Sequence, residues 1–302
     1  MSASENTGAG LLVGGARIRD NLEAEIPCGT QQPMSPPRTA ARQRPSTSTH
    51  GADERLAEGQ TGIPRFRRGL VRRPLLVDRL IDADGAQLAV IVAPPGYGKS
   101  SLLSEWAERD ERPFVWITLE AHEAAAEAAI SRSIIDALVK TGWIDPAATL
   151  ELHGSGADGL AALMSAARSS RSFVLALDNC HLVAPRVLRK VVTACMTALP
   201  SGSMVAVASR NEPSLPIGRL RAHRELVEVR MADLAMTPAE AACLLRGAGL
   251  DLEFEQIQAL VRRTEGWPAA LYLAAISISE RPPAGASFAG DDHLLEIGRA
   301  HV

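Results

Sequence analysis

The chain has 302 residues, 46% of them hydrophobic and 22% charged, a balance that supports one large or two ordinary globular domains. A net charge of −3 excludes a global electrostatic attraction to nucleic acid or anionic lipid. Cys28, Cys180, Cys195 and Cys243 stand too far apart for a metal or redox pair and read as reduced thiols, the histidines are equally scattered, and no apolar run is long enough to cross a bilayer.

Residues 1 to about 62 are rich in Ser, Thr, Gly, Pro, Gln and Ala without periodicity, and are expected to be disordered or to be untranslated upstream sequence. Met1-Ser2-Ala3-Ser4-Glu5-Asn6 lacks the positive charge that opens a secretory signal, so a cytoplasmic protein is expected. Lysine occurs only at 99, 140 and 190; the arginine and alanine bias points to a GC-rich bacterial gene. Arg65, Arg67, Arg68, Arg72 and Arg73 crowd the next stretch. With Phe66 as the one interleaved aromatic, they read as a solvated linker rather than a nucleic-acid patch.

From Leu75 the pattern alternates. Leu75 to Ile81 predicts a helix, and Leu88 to Val92 a fully buried strand. Beyond a glycine loop, Leu102, Leu103 and Trp106 share one helix face. Phe114 to Ile117 predicts a strand, and residues from about 122 to 141 a helix carrying Ile130, Ile134, Ile135 and Leu138. Phe173 to Leu177 predicts a third strand, Pro185 to Leu199 a helix, Met204 to Ala208 a fourth strand and Leu226 to Val229 a fifth. Short apolar strands separated by helices imply a parallel sheet covered on both faces, a three-layer α/β domain assigned to residues 63–233. Thr237-Pro238-Ala239-Glu240 then reads as a capping box, followed by helices from Phe254 to Thr264 and from Pro268 to about Ile278, a small helical subdomain over 234–280. Residues 281–302 are expected to be a disordered tail.

The segment Ala93-Pro94-Pro95-Gly96-Tyr97-Gly98-Lys99-Ser100 follows a buried strand and opens an amphipathic helix, the context a phosphate loop requires. Gly96 and Gly98 let backbone N–H groups turn inward around phosphates, Lys99 adds charge for the β- and γ-phosphates, and the Ser100 hydroxyl is placed for Mg²⁺, with Ser101 next in the helix. The usual first glycine is Ala93 here. ATP or ADP with Mg²⁺ is the expected cofactor. The strand ending in Asp178 supplies the carboxylate that orients Mg²⁺ in P-loop proteins. Asn179 follows where many such ATPases carry a second acid; an amide orients a water but cannot take its proton. Slow turnover, or binding without turnover, is expected. Arg210, after Ala208-Ser209, reads either as a γ-phosphate sensor or as a surface arginine closing a strand.

Together with Leu177-Asp178-Asn179-Cys180-His181 and Thr264-Glu265-Gly266-Trp267-Pro268-Ala269, this order of motifs resembles the STAND ATPases of the MalT/LuxR type, large bacterial transcription activators, over about Val71 to Ile278. The resemblance implies a nucleotide-dependent switch, with Gly266 and Pro268 on the adenine side and Arg72-Arg73-Pro74-Leu75-Leu76 also near the base. From the residues alone, Trp267-Pro268 reads as a helix stop and restart. The departure is Asn179, where family members commonly have aspartate. The resemblance further implies a longer protein, with a small-molecule or protein inducer reaching a separate sensor domain, promoter DNA bound by a helix-turn-helix absent from these residues, and ATP-dependent self-association. The other readings are a working AAA+-like ATPase and a STAND signalling scaffold without DNA binding. Residues from about Glu296, ending Ile297-Gly298-Arg299-Ala300-His301-Val302, match one reading frame of a widely used sequencing adapter and are expected to be an artefact.

Overall fold

The computed structural model describes residues 63–64, 70–120, 127–149, 156–166 and 171–279. The expectations for the N-terminal 62 residues, for Cys28, for Arg65 to Arg68 and for the tail after 279, including its adapter-like end, lie outside those residues. So does the start of the helix expected from about 122.

Five strands form one parallel sheet: β1 (Leu88–Val92), β2 (Phe114–Thr118), β3 (Val174–Asp178), β4 (Met204–Ser209) and β5 (Leu226–Arg230), in the spatial order β2-β3-β4-β1-β5. The apolar runs form strands because the sheet is covered on both faces, so the inner strands take apolar side chains at nearly every position. β3 and β4 are buried throughout, whereas edge strand β5 buries alternate residues only.

Successive strand residues feed two separate cores. Leu88, Val90, Val115, Ile117, Leu175, Leu177, Val205 and Val207 point to one face, covered by α3 (Glu127–Lys140), α4 (Gly156–Ala166) and α5 (Pro185–Ala198). Ala89, Ile91, Phe114, Trp116, Ala176, Ala206 and Ala208 point to the other, covered by α1 (Pro74–Ile81) and α2 (Lys99–Arg109). The small alanines on that second face leave room for the bulk of α2. Its Trp106 is fully buried, packed edge-on to Phe114 with centroids 5.2 Å apart and its indole N–H donated to Asp110 Oδ2 at 2.7 Å.

α6 (Ile217–Ala222) and α7 (Met231–Leu234) flank β5, and three helices follow: α8 (Pro238–Gly247), α9 (Phe254–Thr264) and α10 (Pro268–Ser279). These three bury Met236, Ala241, Leu244, Leu245, Ile257, Leu260, Leu271, Ala274 and Ala275 in a core of their own. The capping box is present: Thr237 N–H donates to Glu240 Oε2 at 2.9 Å and Glu240 N–H to Thr237 Oγ1 at 3.3 Å. Helices α4, α6 and α7 have no counterpart in the sequence reading. The third strand runs one residue later than expected, so Asp178 is its last residue rather than the residue after it.

Candidate phosphate-loop site

The loop leaves the carboxyl end of β1, where the register sets Val92 beside both Ser209 and Arg230. β4 lies between β1 and β3, so Ser209-Arg210 ends between the loop and Asp178. Parallel strands bring these three ends to one edge of the sheet, the edge at which open α/β sheets bind ligands.

Gly96 and Gly98 both hold a left-handed backbone, φ 79° and 80°, which glycine adopts without the Cβ penalty. Among the described residues, none of the backbone N–H groups from Gly96 through Ser100 donates to a main-chain carbonyl. Five consecutive donors at the start of α2 are thus left for an anion. Lys99 Nζ donates to the carbonyl oxygens of Ala93 (2.7 Å) and Pro94 (3.0 Å), folded back over the loop. Burial pushes its ammonium below the ordinary lysine range, Asp178 opposes that shift and Arg210 adds to it. The interaction puts Arg210, exposed at the end of β4, within the field of Lys99.

Ser100 Oγ donates to Asp178 Oδ2 at 2.6 Å, and the Asn179 backbone N–H donates to Asp178 Oδ1 at 2.8 Å. Asp178 is 5% exposed, yet both its oxygens have partners. A hydroxyl and a carboxylate oxygen at one spot form the hard, oxygen-only donor set that suits Mg²⁺, so the residues present fit the ion. Asn179 takes the left-handed conformation, φ 60°, which asparagine tolerates better than most residues. Ser101 follows in α2, partly buried.

In the sequence His181 stands out only as part of the strand-end motif. Its Nδ1 is buried without a protein partner among the described residues, and burial, followed by Arg210 and Lys99, pushes the imidazole below the ordinary histidine range. Its distance in sequence from any second histidine gave no signal of this placement; only its position three residues past the strand-end acid did.

The helical part reaches the loop through different residues from those the family resemblance singled out. Gly266 packs against the main chain of Met236, whose N–H donates to the Gly266 carbonyl at 2.8 Å. The contact with the loop comes from its neighbours. Trp267 Nε1 donates to the Pro95 carbonyl at 3.0 Å, and its ring stacks on Tyr97, centroids 6.4 Å apart. A Cβ added at Gly96 would lie 2.6 Å from Ala269 Cβ and 2.7 Å from Trp267 Nε1, so no other residue fits there. Pro268 opens α10 beside them.

Arg73 joins the same parts from the other side. Its backbone N–H donates to Glu105 Oε2 of α2 at 2.7 Å. Its guanidinium donates to the carbonyls of Leu234 (3.0 Å) and Asp233 (2.7 Å), and Nε lies 2.8 Å from Glu240 Oε1. Glu105 is 1% exposed, and burial raises its carboxyl above the usual carboxylate range.

Among the described residues the three cysteines are unbridged, no cluster of three metal-ligating side chains occurs, and no helix is long and apolar enough to cross a membrane.

No family model matches the chain. It is 30% identical over 83% of its length to the serine/threonine-protein kinase PknK of Mycobacterium tuberculosis, covering 22% of that protein. It is 28% identical over 79% of its length to the HTH-type transcriptional regulator MalT of Cronobacter sakazakii, covering 27% of it. The chain therefore spans about a quarter of the length of the curated relatives it matches. Among solved structures, a Walker-type ATPase of Pyrococcus abyssi superposes with a TM-score of 0.50 at 15% identity, over 78% of this chain and 75% of that one. The fold is that of a P-loop ATPase. In sequence, the chain is similar to part of the MalT-type regulators, as its motif order led us to expect, and to part of PknK, which the motif order did not suggest.

Proposed function

We propose that this chain is the nucleotide-binding switch of a larger regulator, holding ADP or ATP with Mg²⁺ and hydrolysing ATP slowly or not at all. The observation that carries the reading is the junction of Ser100 with Asp178 beside five unpartnered loop N–H groups. The N–H groups of Gly96 to Ser100 hold the phosphates, and Lys99 leaves the Ala93 and Pro94 carbonyls to meet their charge. Ser100 and Asp178 would hold the metal, whose chemistry is to neutralise phosphate charge. Arg210, at the neighbouring strand end, meets the γ-phosphate and so distinguishes ATP from ADP. Gly266 and Pro268 flank the base side of the site.

Asn179 sets the turnover. Its amide orients a water but takes no proton, so the bound nucleotide persists long enough to act as a signal. Differential contacts made by Arg210 in the two nucleotide states bias the arrangement of the α/β part, residues 63–233, against the helical part, 234–280. In the cytoplasm, an inducer and promoter DNA act through segments beyond these residues, by analogy with the MalT-type relatives.

Phosphate release tests the reading. The parent releases phosphate far more slowly than about 1 s⁻¹, the low end for ordinary enzymes, and Asn179→Asp accelerates it. Parent turnover at or above that rate contradicts a switch and favours a working ATPase.

A further inference from the structure

Three successive loop carbonyls carry side-chain donors: Ala93 and Pro94 accept from Lys99, and Pro95 accepts from Trp267. They are not equivalent. The carbonyls of Ala93 and Pro94 each belong to a peptide group whose nitrogen is a proline's and carries no hydrogen. The Pro95 carbonyl belongs to the peptide group that carries the Gly96 N–H. In a planar trans peptide the C=O and N–H point in opposite directions, so whatever holds the Pro95 oxygen also aims the Gly96 hydrogen. That N–H is the first donor of the phosphate cradle.

The indole is held rigidly in turn. Glu265 and Gly266 are consecutive left-handed residues, φ 50° and 69°, closing α9 with the Gly266 N–H donated to the Val261 carbonyl at 3.0 Å. A Cβ at Gly266 would lie 2.7 Å from the Met236 carbonyl oxygen, so the turn sits against the connection between α7 and α8 with no slack. Trp267 also packs against the core that backs the loop helix.

We propose that Trp267 is a positioning residue of the phosphate loop: by fixing the Pro95–Gly96 peptide plane it aims the Gly96 N–H into the cradle and couples nucleotide binding to the placement of the helical part. This rests on the nucleotide reading above and deepens it. The chemistry recognised is the polyphosphate of a nucleoside di- or triphosphate.

The test uses the full chain, Mg·ADP as probe, calorimetric affinity, and the thermal midpoint without nucleotide. Trp267→Phe keeps an aromatic ring on Tyr97 and removes the N–H donor. It weakens Mg·ADP binding about three- to tenfold, the value of one neutral hydrogen bond, while the nucleotide-free midpoint stays close to the parent's. The tryptophan emission change that Mg·ADP produces in the parent is largely lost in this variant. Ala269→Val, which crowds Gly96 but leaves the indole, weakens binding as well and covers the case in which Trp267→Phe does not fold. Parent-like affinity and emission change in Trp267→Phe, or parent-like affinity in Ala269→Val, overturns the inference alone. A parent that binds no Mg·ADP overturns the nucleotide reading and the inference with it.

Discussion

The hydroxyl of Ser100 and the carboxylate of Asp178, 78 positions apart in the chain, meet at 2.6 Å. The first stands at the start of α2 and the second at the end of β3, with β4 between their parent strands. The pair forms an oxygen-only donor set of the kind that suits Mg²⁺.

Ser100→Ala removes one oxygen of that pair and leaves the loop backbone intact. Nucleotide affinity measured in excess Mg²⁺ falls toward the affinity the parent shows in EDTA, and the magnesium dependence flattens. A variant that kept the parent's full gain from Mg²⁺ would place the ion elsewhere.

Gly266→Ala forces a side chain into left-handed backbone, φ 69°, with the Met236 carbonyl 2.7 Å from its Cβ. Stability falls by about 2 kcal/mol or more, read from the denaturant midpoint. Loss of less than about 0.5 kcal/mol, the range of an ordinary surface change, would mean the turn is loose.

Thr237→Ala removes the cap of α8 and costs roughly 1 kcal/mol. Glu240→Ala costs more, because Glu240 both receives the Thr237 N–H and faces the buried guanidinium of Arg73. Equal losses in the two variants would show that Arg73 gains nothing from Glu240.

Glu105 gives a pH dependence whose sign is fixed by burial. Its folded carboxyl is raised above the unfolded value, so the folded state holds the proton longer. Its contribution to stability is therefore greatest below the unfolded carboxyl value of about 4.3 and is lost as pH rises through the folded one, where an ionised buried carboxylate remains. Glu105→Gln is consequently more stable than the parent near neutral pH, and the gap closes as the solution is acidified toward about pH 4. Melting curves across that range check it; a gap that widened on acidification would reverse the sign.

The central strands were legible as continuous apolar runs, as a sheet covered on both faces demands, edge strand β5 by its alternating apolar residues, and the loop because its residue types stand in fixed order between strand and helix. Asp178 was legible as the polar end of such a run. The spatial order β2-β3-β4-β1-β5 was not, since strands of equal apolarity give no sign of their neighbours. α4 carries glycine at 156 and 159 and an almost uniformly apolar face, so its period is hidden. α6 is only six residues long, and α7 four. Trp267 was read as a helix restart because sequence shows the break at Gly266 and Pro268, while the role comes from a bond to Pro95, 172 positions away.

The central claim is that the loop of Ala93 to Ser100 holds a nucleotide. Calorimetric titration of Mg·ATP and Mg·ADP into the full chain and into Lys99→Ala tests it most directly. The parent binds both nucleotides at one site, and Lys99→Ala, still folded by circular dichroism, binds neither measurably. Equal affinity in the two proteins would contradict the assignment.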